Sequence, residues 1–346
     1  MTPRKRGDGH RMVRWLWTAR TVGARAARAA LVPASGLWHA GMALRGMAYR
    51  RGWMATHELP MPSVAIGNLS VGGSGKTPLA GWVARHYVSS GVRPGILLRG
   101  VGGDEVLVHR EAIPEAIVVA NPDRVAGAAL AVAGGAQVLV LDDAFQRLDV
   151  ARDLNICLVS AETSRAVPWR LPAGPWREGF DALARADALV ITRKRADAET
   201  ARQLAERLAP RVAGPVAIVR LDLAVLEGLT SGAPQAISAL AGKRVVAASA
   251  IADPDAFVTQ VKRTGAQVQV ATWKDHHQFR DEDIAWLAHA ARRADHVVIT
   301  AKDAVKLRGR WPASVPEPLV ARLAVTFEAG ESELRAALDR VIGHHA

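Results

Sequence analysis

A lysine and a hydroxyl residue sit directly behind a glycine-rich turn in Gly67-Asn68-Leu69-Ser70-Val71-Gly72-Gly73-Ser74-Gly75-Lys76-Thr77-Pro78. Gly72, Gly73, Ser74 and Gly75 let backbone N–H groups converge on phosphate oxygens. Lys76 can then reach the β- and γ-phosphates of ATP, and the Thr77 hydroxyl can join the shell of a Mg²⁺ ion. Ser70 replaces the first glycine of the general pattern G-x-x-x-x-G-K-[ST]. A glycine-rich turn that binds nothing is the bland alternative. The apolar run Val64-Ala65-Ile66 before the turn and the helix start behind it argue against that, because a helix N-terminus favours anions.

A second apolar run, Val138–Leu141, ends in Asp142-Asp143. A phosphate-binding loop needs a carboxylate there to hold Mg²⁺, directly or through water. Acidic pairs at strand ends are also ordinary turn residues, so the metal reading depends on coupling to the lysine loop.

The elements that must position these groups read as α/β. From Pro62 onward, short apolar runs alternate with longer amphipathic segments, the pattern of a mostly parallel sheet flanked by helices. Strands are expected at Val64–Ile66, Ile96–Leu98, Val138–Leu141, Ile156–Val159, Ala188–Ile191 and Ala217–Val219, and helices at Thr77–Tyr87, Asp123–Val132 and Asp197–Leu208. After a stretch rich in Gly, Ser and small apolar residues a second series follows. It comprises strands Val245–Ala248, Val268–Ala271 and Val297–Ile299 and helices Pro254–Arg263 and Asp281–Arg292. The expected division is a basic amphipathic segment over 1–57, a P-loop core over 58–222 and a smaller C-terminal α/β lobe over 223–346.

The 346 residues are 49% hydrophobic with a formal net charge of +12, which favours an anionic partner. No zinc-finger or RNA-binding signature accompanies the charge, so nucleic acid is not an expected partner. Cys157, the single cysteine, excludes an internal disulfide and suits a reducing cytoplasm. Residues 1–57 interleave Trp15, Trp17, Trp38 and Trp53 with eleven basic residues, among them Arg4, Lys5, Arg6, Arg11, Arg14, Arg25 and Arg28, against the single acid Asp8. On a helical wheel Arg11, Arg14, Arg25 and Arg28 fall opposite Met12, Leu16, Ala19 and Ala30, which suits a membrane interface or a solvated arm. The uncharged stretch Ala29–Leu44 is broken by Pro33 and falls short of the ~20 residues a spanning helix needs. The segment is expected to be retained rather than removed as a signal peptide.

The P-loop, with Ser70 at its odd position, resembles that of the tetraacyldisaccharide 4'-kinases, whose loop also carries Ser or Thr there. Further resemblances follow in the family's order: Arg99-Gly100, Gly103-Asp104-Glu105, Asp142-Asp143-Ala144-Phe145-Gln146, Leu171-Pro172-Ala173-Gly174-Pro175 with Arg177-Glu178, Asp275-His276-His277, and Thr300 with Lys302-Asp303-Ala304-Val305-Lys306. The resemblance implies transfer of the ATP γ-phosphate, with Mg²⁺, to the 4'-hydroxyl of an acylated glucosamine disaccharide 1-phosphate, giving lipid IVA. It implies a peripheral enzyme at the anionic cytoplasmic face of the bacterial inner membrane, with the basic segment helping to reach an acceptor held in the bilayer. It also implies that Asp104 lies near the acceptor hydroxyl and that a histidine of the Asp-His-His motif tunes or relays the proton, with His276 taken as the candidate ahead of His277. Arg99, Gln146, Arg177 and Glu178 are substrate-side candidates on the same basis. Without the resemblance, Asp104 reads as a turn residue and the histidines as surface or satisfied residues.

The chain also departs from the family pattern. Gly103 and Asp104 join two motifs that members separate, Ala144 replaces a glycine, Arg147 a histidine and Ala301 a glutamate, and Ser164–Arg170 replaces expected Gly and Asn residues. Two rivals accompany the kinase reading: a regulatory P-loop ATPase of the chromosome-partitioning type, and a paralogue with an altered acceptor. Val71 opposes the first, because that class carries a signature lysine there.

Overall fold

The computed structural model describes residues 8–100, 103–163 and 167–343. The basic residues Arg4, Lys5 and Arg6, and residues 164–166 of the departing segment, lie outside the described residues. In chain order the elements are α1 (Asp8–Thr18), α2 (Val22–Arg50), β1 (Ser63–Asn68), α3 (Lys76–Ser89), β2 (Pro94–Leu98), α4 (Asp104–Ala112), β3 (Ile117–Ala120), α5 (Arg124–Ala133), β4 (Val138–Asp142), β5 (Leu154–Ser160), β6 (Ala188–Arg193), α6 (Ala198–Leu208) and β7 (Val216–Gly228). They continue with β8 (Pro234–Gln235), β9 (Arg244–Ser249), α7 (Pro254–Arg263), β10 (Gln267–Thr272), α8 (Asp281–Ala291), β11 (His296–Thr300), α9 (Ala301–Leu307), β12 (Leu319–Ala329) and α10 (Glu331–Gly343).

Among the described residues the chain divides into two compact units, one holding 12–220 and 325–343, the other 8–11 and 221–324. The first contains the strand order β3-β2-β4-β1-β5-β6-β7, with neighbouring strands parallel. The central strands β1, β2 and β4 are buried along their whole length because both faces are covered. One core gathers Leu97, Leu139, Leu141 and Ala128, and another gathers Phe145, Val159, Leu189 and Leu204. From β1 the chain moves first toward β2 and later to β5 on the opposite side, so β1 is the switch point, and a ligand is expected beyond its carboxyl end.

In the other unit β10, β9, β11 and β12 run parallel, and β8 pairs antiparallel with β7. Here too two cores form, one around Trp273, Leu287 and Ile299, the other around Phe257, Val261 and Val298. Short polar caps set the helix starts. Asp123 accepts from the N–H groups of Val125 and Ala126 ahead of α5, and Asp253 from Ala256 N–H ahead of α7, where Pro254 takes the first helical position.

The structure differs from the sequence reading in three places. The reading assigns 223–346 to one lobe, but 325–343 return to the P-loop unit, where Tyr87 Oη on α3 donates to Leu338 O on α10 at 3.1 Å. Proline does not end the N-terminal helix either: α2 runs 29 residues through Pro33. An internal proline costs ~3 kcal/mol, and α2 is held by contacts along its length. Ser35 Oγ donates to Arg170 O at 3.0 Å and accepts from Ala173 N at 3.1 Å, and Arg45 donates to Gln146 O at 3.0 Å. Finally, Arg28 is not on a free basic face. It is buried, and its guanidinium donates to Leu16 O at 2.5 Å and Ala19 O at 2.9 Å, closing the carbonyl end of α1. Among the described residues no helix is long and apolar enough to cross a membrane.

Candidate active site

The phosphate loop leaves β1 at Asn68 and enters α3 through Gly75, whose φ of 92° places it in the left-handed region that favours glycine. Two side chains from the end of β6 hold the loop by its carbonyls: Thr192 Oγ1 donates to Ser74 O at 2.8 Å, and Lys194 Nζ to Gly73 O at 2.6 Å. Asn68 acts within the loop, its amide donating to Ser70 O at 2.6 Å while its Oδ1 accepts from Lys76 Nζ at 3.2 Å. Ser74 Oγ is buried and makes no hydrogen bond among the described residues, an orphan polar atom that a phosphate oxygen would satisfy.

β4 lies parallel beside β1 and brings Asp142 level with Ile66. The two strand ends approach so closely that a Cβ on Gly67 would fall 2.5 Å from Phe145 Cβ, which requires glycine there. Burial alone would raise the Asp142 carboxyl. The hydrogen bond and charge of His109, the charge of Lys76 and the Thr77 hydroxyl outweigh it and hold the group below the usual carboxylate range. An ionised carboxylate bonded to the P-loop hydroxyl is the donor set that Mg²⁺ takes beside phosphate oxygens, so the residues fit that ion.

Asp143 joins the arrangement through Lys76. Its φ is 54°, and its carboxylate lies 3.5 Å from Lys76 Nζ and 3.3 Å from Arg177. Gln146 extends the network, donating to Asn68 O at 2.7 Å and to Glu178 Oε1 at 3.1 Å, while Arg177 donates to its Oε1 at 3.4 Å. Glu178 also pairs with Arg185 at 2.9 Å, and Trp38 Nε1 on α2 donates to Arg177 O at 2.9 Å. Lys76, Asp143, Gln146, Arg177 and Glu178 are thus joined through direct bonds.

Asp104 is the first residue of α4, preceded by Gly103 at φ 70° and only 2% exposed, so it is not the surface turn residue of the bland reading. The same helix carries His109, whose Nε2 lies 3.3 Å from Asp142 Oδ2. Arg99 is exposed beyond the carboxyl end of β2 and stays outside this network among the bonds described.

Residues 27–105 and 101–343 match the family described as Tetraacyldisaccharide-1-P 4'-kinase. The tetraacyldisaccharide 4'-kinase of Geobacter metallireducens is 34% identical over 335 residues, covering 86% of this chain and 94% of its own. The chain belongs to the tetraacyldisaccharide-1-P 4'-kinase family. The namesake of Anaeromyxobacter sp. (strain Fw109-5) is also 34% identical, over 91% of each chain. The crystal structure of the "apo" form of LpxK from Aquifex aeolicus in complex with ATP superposes with a TM-score of 0.71 at 26% identity, over 91% of this chain and 99% of that one. This likeness extends the family assignment from sequence to fold.

The Asp-His-His motif of this kinase family member lies in the other unit, where the structure separates two histidines that the sequence leaves equivalent. His277 is built into its surroundings: Nε2 lies 2.8 Å from Asp283 Oδ2, and the ring stacks on Trp273 at 6.2 Å and 20°. Asp283 also accepts from Trp273 Nε1 at 2.9 Å and from Arg280 N at 2.9 Å. His276 instead adopts a φ of 59°, with Nε2 3.2 Å from Lys302 Nζ and 3.8 Å from Asp275 Oδ2.

Sequence reasoning missed four working residues of the P-loop unit. Asn68 stands inside the motif but carries no role in the general loop pattern. His109 follows Asp104 by five residues on α4, and no spacing rule ties it to a strand end elsewhere. Thr192 and Lys194 carry no local signal, because their contact with the loop exists only once β6 is placed in the sheet.

Proposed function

We propose that this chain transfers the γ-phosphate of ATP to the 4'-hydroxyl of the acylated glucosamine disaccharide 1-phosphate, forming lipid IVA. The observation that carries this reading is the joining of Lys76, Asn68, Asp143, Gln146 and Arg177 around a cradle whose Thr77 hydroxyl bonds Asp142, in a member of this kinase family.

Each residue has a role. The loop N–H groups and Lys76 bind the β- and γ-phosphates. Thr77 and Asp142 are the residues that would hold Mg²⁺, which when bound neutralises phosphate charge. Asp143 holds Lys76 and Arg177 rather than serving first as a metal ligand. Asp104, buried at the start of α4, takes the proton of the acceptor hydroxyl as general base. His276 is the second catalytic residue proposed, and His277 is structural. Arg177, Gln146 and Glu178 bind on the substrate side.

The acceptor's acyl chains require a membrane surface, and α1 and α2 expose Met12, Trp15, Leu37, Trp38 and Leu44. These residues, with the net charge of +12, support peripheral binding at the anionic cytoplasmic face of the inner membrane. Incubation with ATP, Mg²⁺ and tetraacyldisaccharide 1-phosphate in mixed micelles, followed by ³¹P–¹H correlation of the product, tests the reading. A new phosphate coupled to the 4' proton is expected. Phosphate on another position, or ATP hydrolysis alone, contradicts it.

A further inference from the structure

The motif Thr300-x-Lys302-Asp303-x-x-Lys306 belongs to the unit that holds 221–324, and its side chains are largely buried. Thr300 ends β11, and its hydroxyl donates to Asp303 Oδ2 at 2.6 Å while accepting from Asp303 N at 3.2 Å. The same Oδ2 accepts from Ala250 N at 3.0 Å, one residue beyond the end of β9, and Lys306 Nζ stands 3.7 Å from Oδ1. Asp303 is fully buried, so these bonds fix the first turn of α9 across the carboxyl ends of β9 and β11. That is where the strand order of this unit reverses, since β9 has β10 on one side and β11 on the other.

Fixing Asp303 aims its neighbour. Lys302 Nζ reaches the loop after β10, 3.2 Å from His276 Nε2 and 3.6 Å from Asp275 Oδ1. A lysine ammonium has donors and no acceptor, so at this distance His276 Nε2 must accept and Nδ1 must carry the ring proton. The opposite tautomer would set two donors against each other. His276 also holds a left-handed backbone, φ 59°, stabilised by its N–H donating to Asp275 Oδ1 at 3.1 Å. Strain of this kind gathers at working sites.

We propose that Lys302 is a positioning residue that holds His276 as its Nδ1–H tautomer, so that the histidine offers the phosphoryl transfer a hydrogen-bond donor. This rests on the reading of His276 as a catalytic residue. The Thr300–Asp303–Lys306 cluster is the scaffold that aims Lys302.

The test uses the full chain with ¹⁵N-labelled histidine and the variants Lys302→Met, Lys302→Arg, His276→Gln and Lys302→Met/His276→Gln. Long-range ¹H–¹⁵N correlation, recorded with the imidazole neutral and assigned by the signal lost in His276→Gln, reads the tautomer directly. The natural chain and Lys302→Arg should show Nδ1–H, and Lys302→Met should shift toward Nε2–H. Lys302→Met should lose on the order of 10- to 100-fold in kcat with KM for ATP within about twofold, and Lys302→Arg should recover most of it. The double variant should be no slower than His276→Gln alone, because Lys302 acts through that ring. A natural chain with Nε2–H, or losses that multiply in the double variant, would overturn the proposal. Full activity in His276→Gln would instead defeat the catalytic reading of His276, with the spectra still deciding whether Lys302 sets the ring.

Discussion

His109 Nε2 lies 3.3 Å from Asp142 Oδ2, with both side chains buried, so a histidine on α4 secures the carboxylate at the end of β4. The Asp142 carboxyl is held below its unfolded value, so its contribution to stability is present above about pH 4, the unfolded value, and is lost as pH falls through the folded pKa. Asp142 therefore stays ionised across the neutral range and contributes no step to the activity profile there. His109→Ala removes one partner of a buried pair and should raise the Mg²⁺ concentration needed for half-maximal rate on the order of 10-fold. Metal titration of the initial rate checks this, and an unchanged midpoint would show that His109 serves only the packing of α4.

Glu162 is a strongly shifted carboxyl whose backbone partners lie just beyond β6. Burial would raise it, but Ser160 and the N–H groups of Lys194, Arg195 and Ala196 bring it down to about 2. A folded pKa below the unfolded one gives stability that is complete above about pH 4.5 and fades between about 4.5 and 2. The shift corresponds to roughly 3 kcal/mol. Glu162→Gln should lose about 1–3 kcal/mol at pH 7 and show a flatter dependence on acid than the natural chain. Denaturant unfolding at pH 7 and pH 3 measures both. Because these bonds also set the segment from which Lys194 reaches Gly73 O, KM for ATP should rise in the same variant.

Asp104→Asn keeps the volume of the buried side chain and removes its basicity. The expected loss is roughly 10²- to 10⁴-fold in kcat, the range of a general base, with ATP affinity nearly unchanged. Parallel loss of nucleotide binding, read by calorimetry, would move Asp104 from the acceptor side to the nucleotide side.

Two kinds of substitution on α2 should separate docking from membrane contact. Ser35→Ala leaves Ala173 N–H without its partner, while Arg170 O keeps the N–H of Gly174, and should cost about 1–3 kcal/mol of stability with little change in vesicle binding. Leu37→Glu with Leu44→Glu changes exposed positions and should leave stability nearly intact while weakening binding to anionic vesicles. Sedimentation with liposomes at low and high salt distinguishes these outcomes, since the electrostatic part weakens with screening.

What the sequence could reveal followed the range of each signal. The P-loop and Asp142-Asp143 are contiguous motifs at strand ends, and β1 and β4 pair so that Ile66 meets Asp142. Period-2 and period-3.6 patterns also located most elements, with α7 running over Pro254–Arg263 as read. Long-range placement was not local information. Nothing in the pattern of 319–343 says that α10 returns to α3, which depends on contacts such as Tyr87 with Leu338. Arg28 read as part of a basic face because wheel position counts charge, whereas two carbonyls at the end of α1 claim its guanidinium. The difference between His276 and His277 came from Lys302 and Asp283, which lie six or more residues away in the chain.

The most direct test of the central claim is transfer of radiolabelled γ-phosphate from ATP to purified tetraacyldisaccharide 1-phosphate in detergent micelles with Mg²⁺, comparing the natural chain with Lys76→Ala. Lys76 joins Asn68 and Asp143 at the centre of the proposed phosphate site. The account predicts a labelled lipid from the natural chain and none above background from the variant, with the variant's unfolding midpoint essentially unchanged. Full transfer by Lys76→Ala, or ATP binding by the natural chain without any labelled lipid, would contradict it.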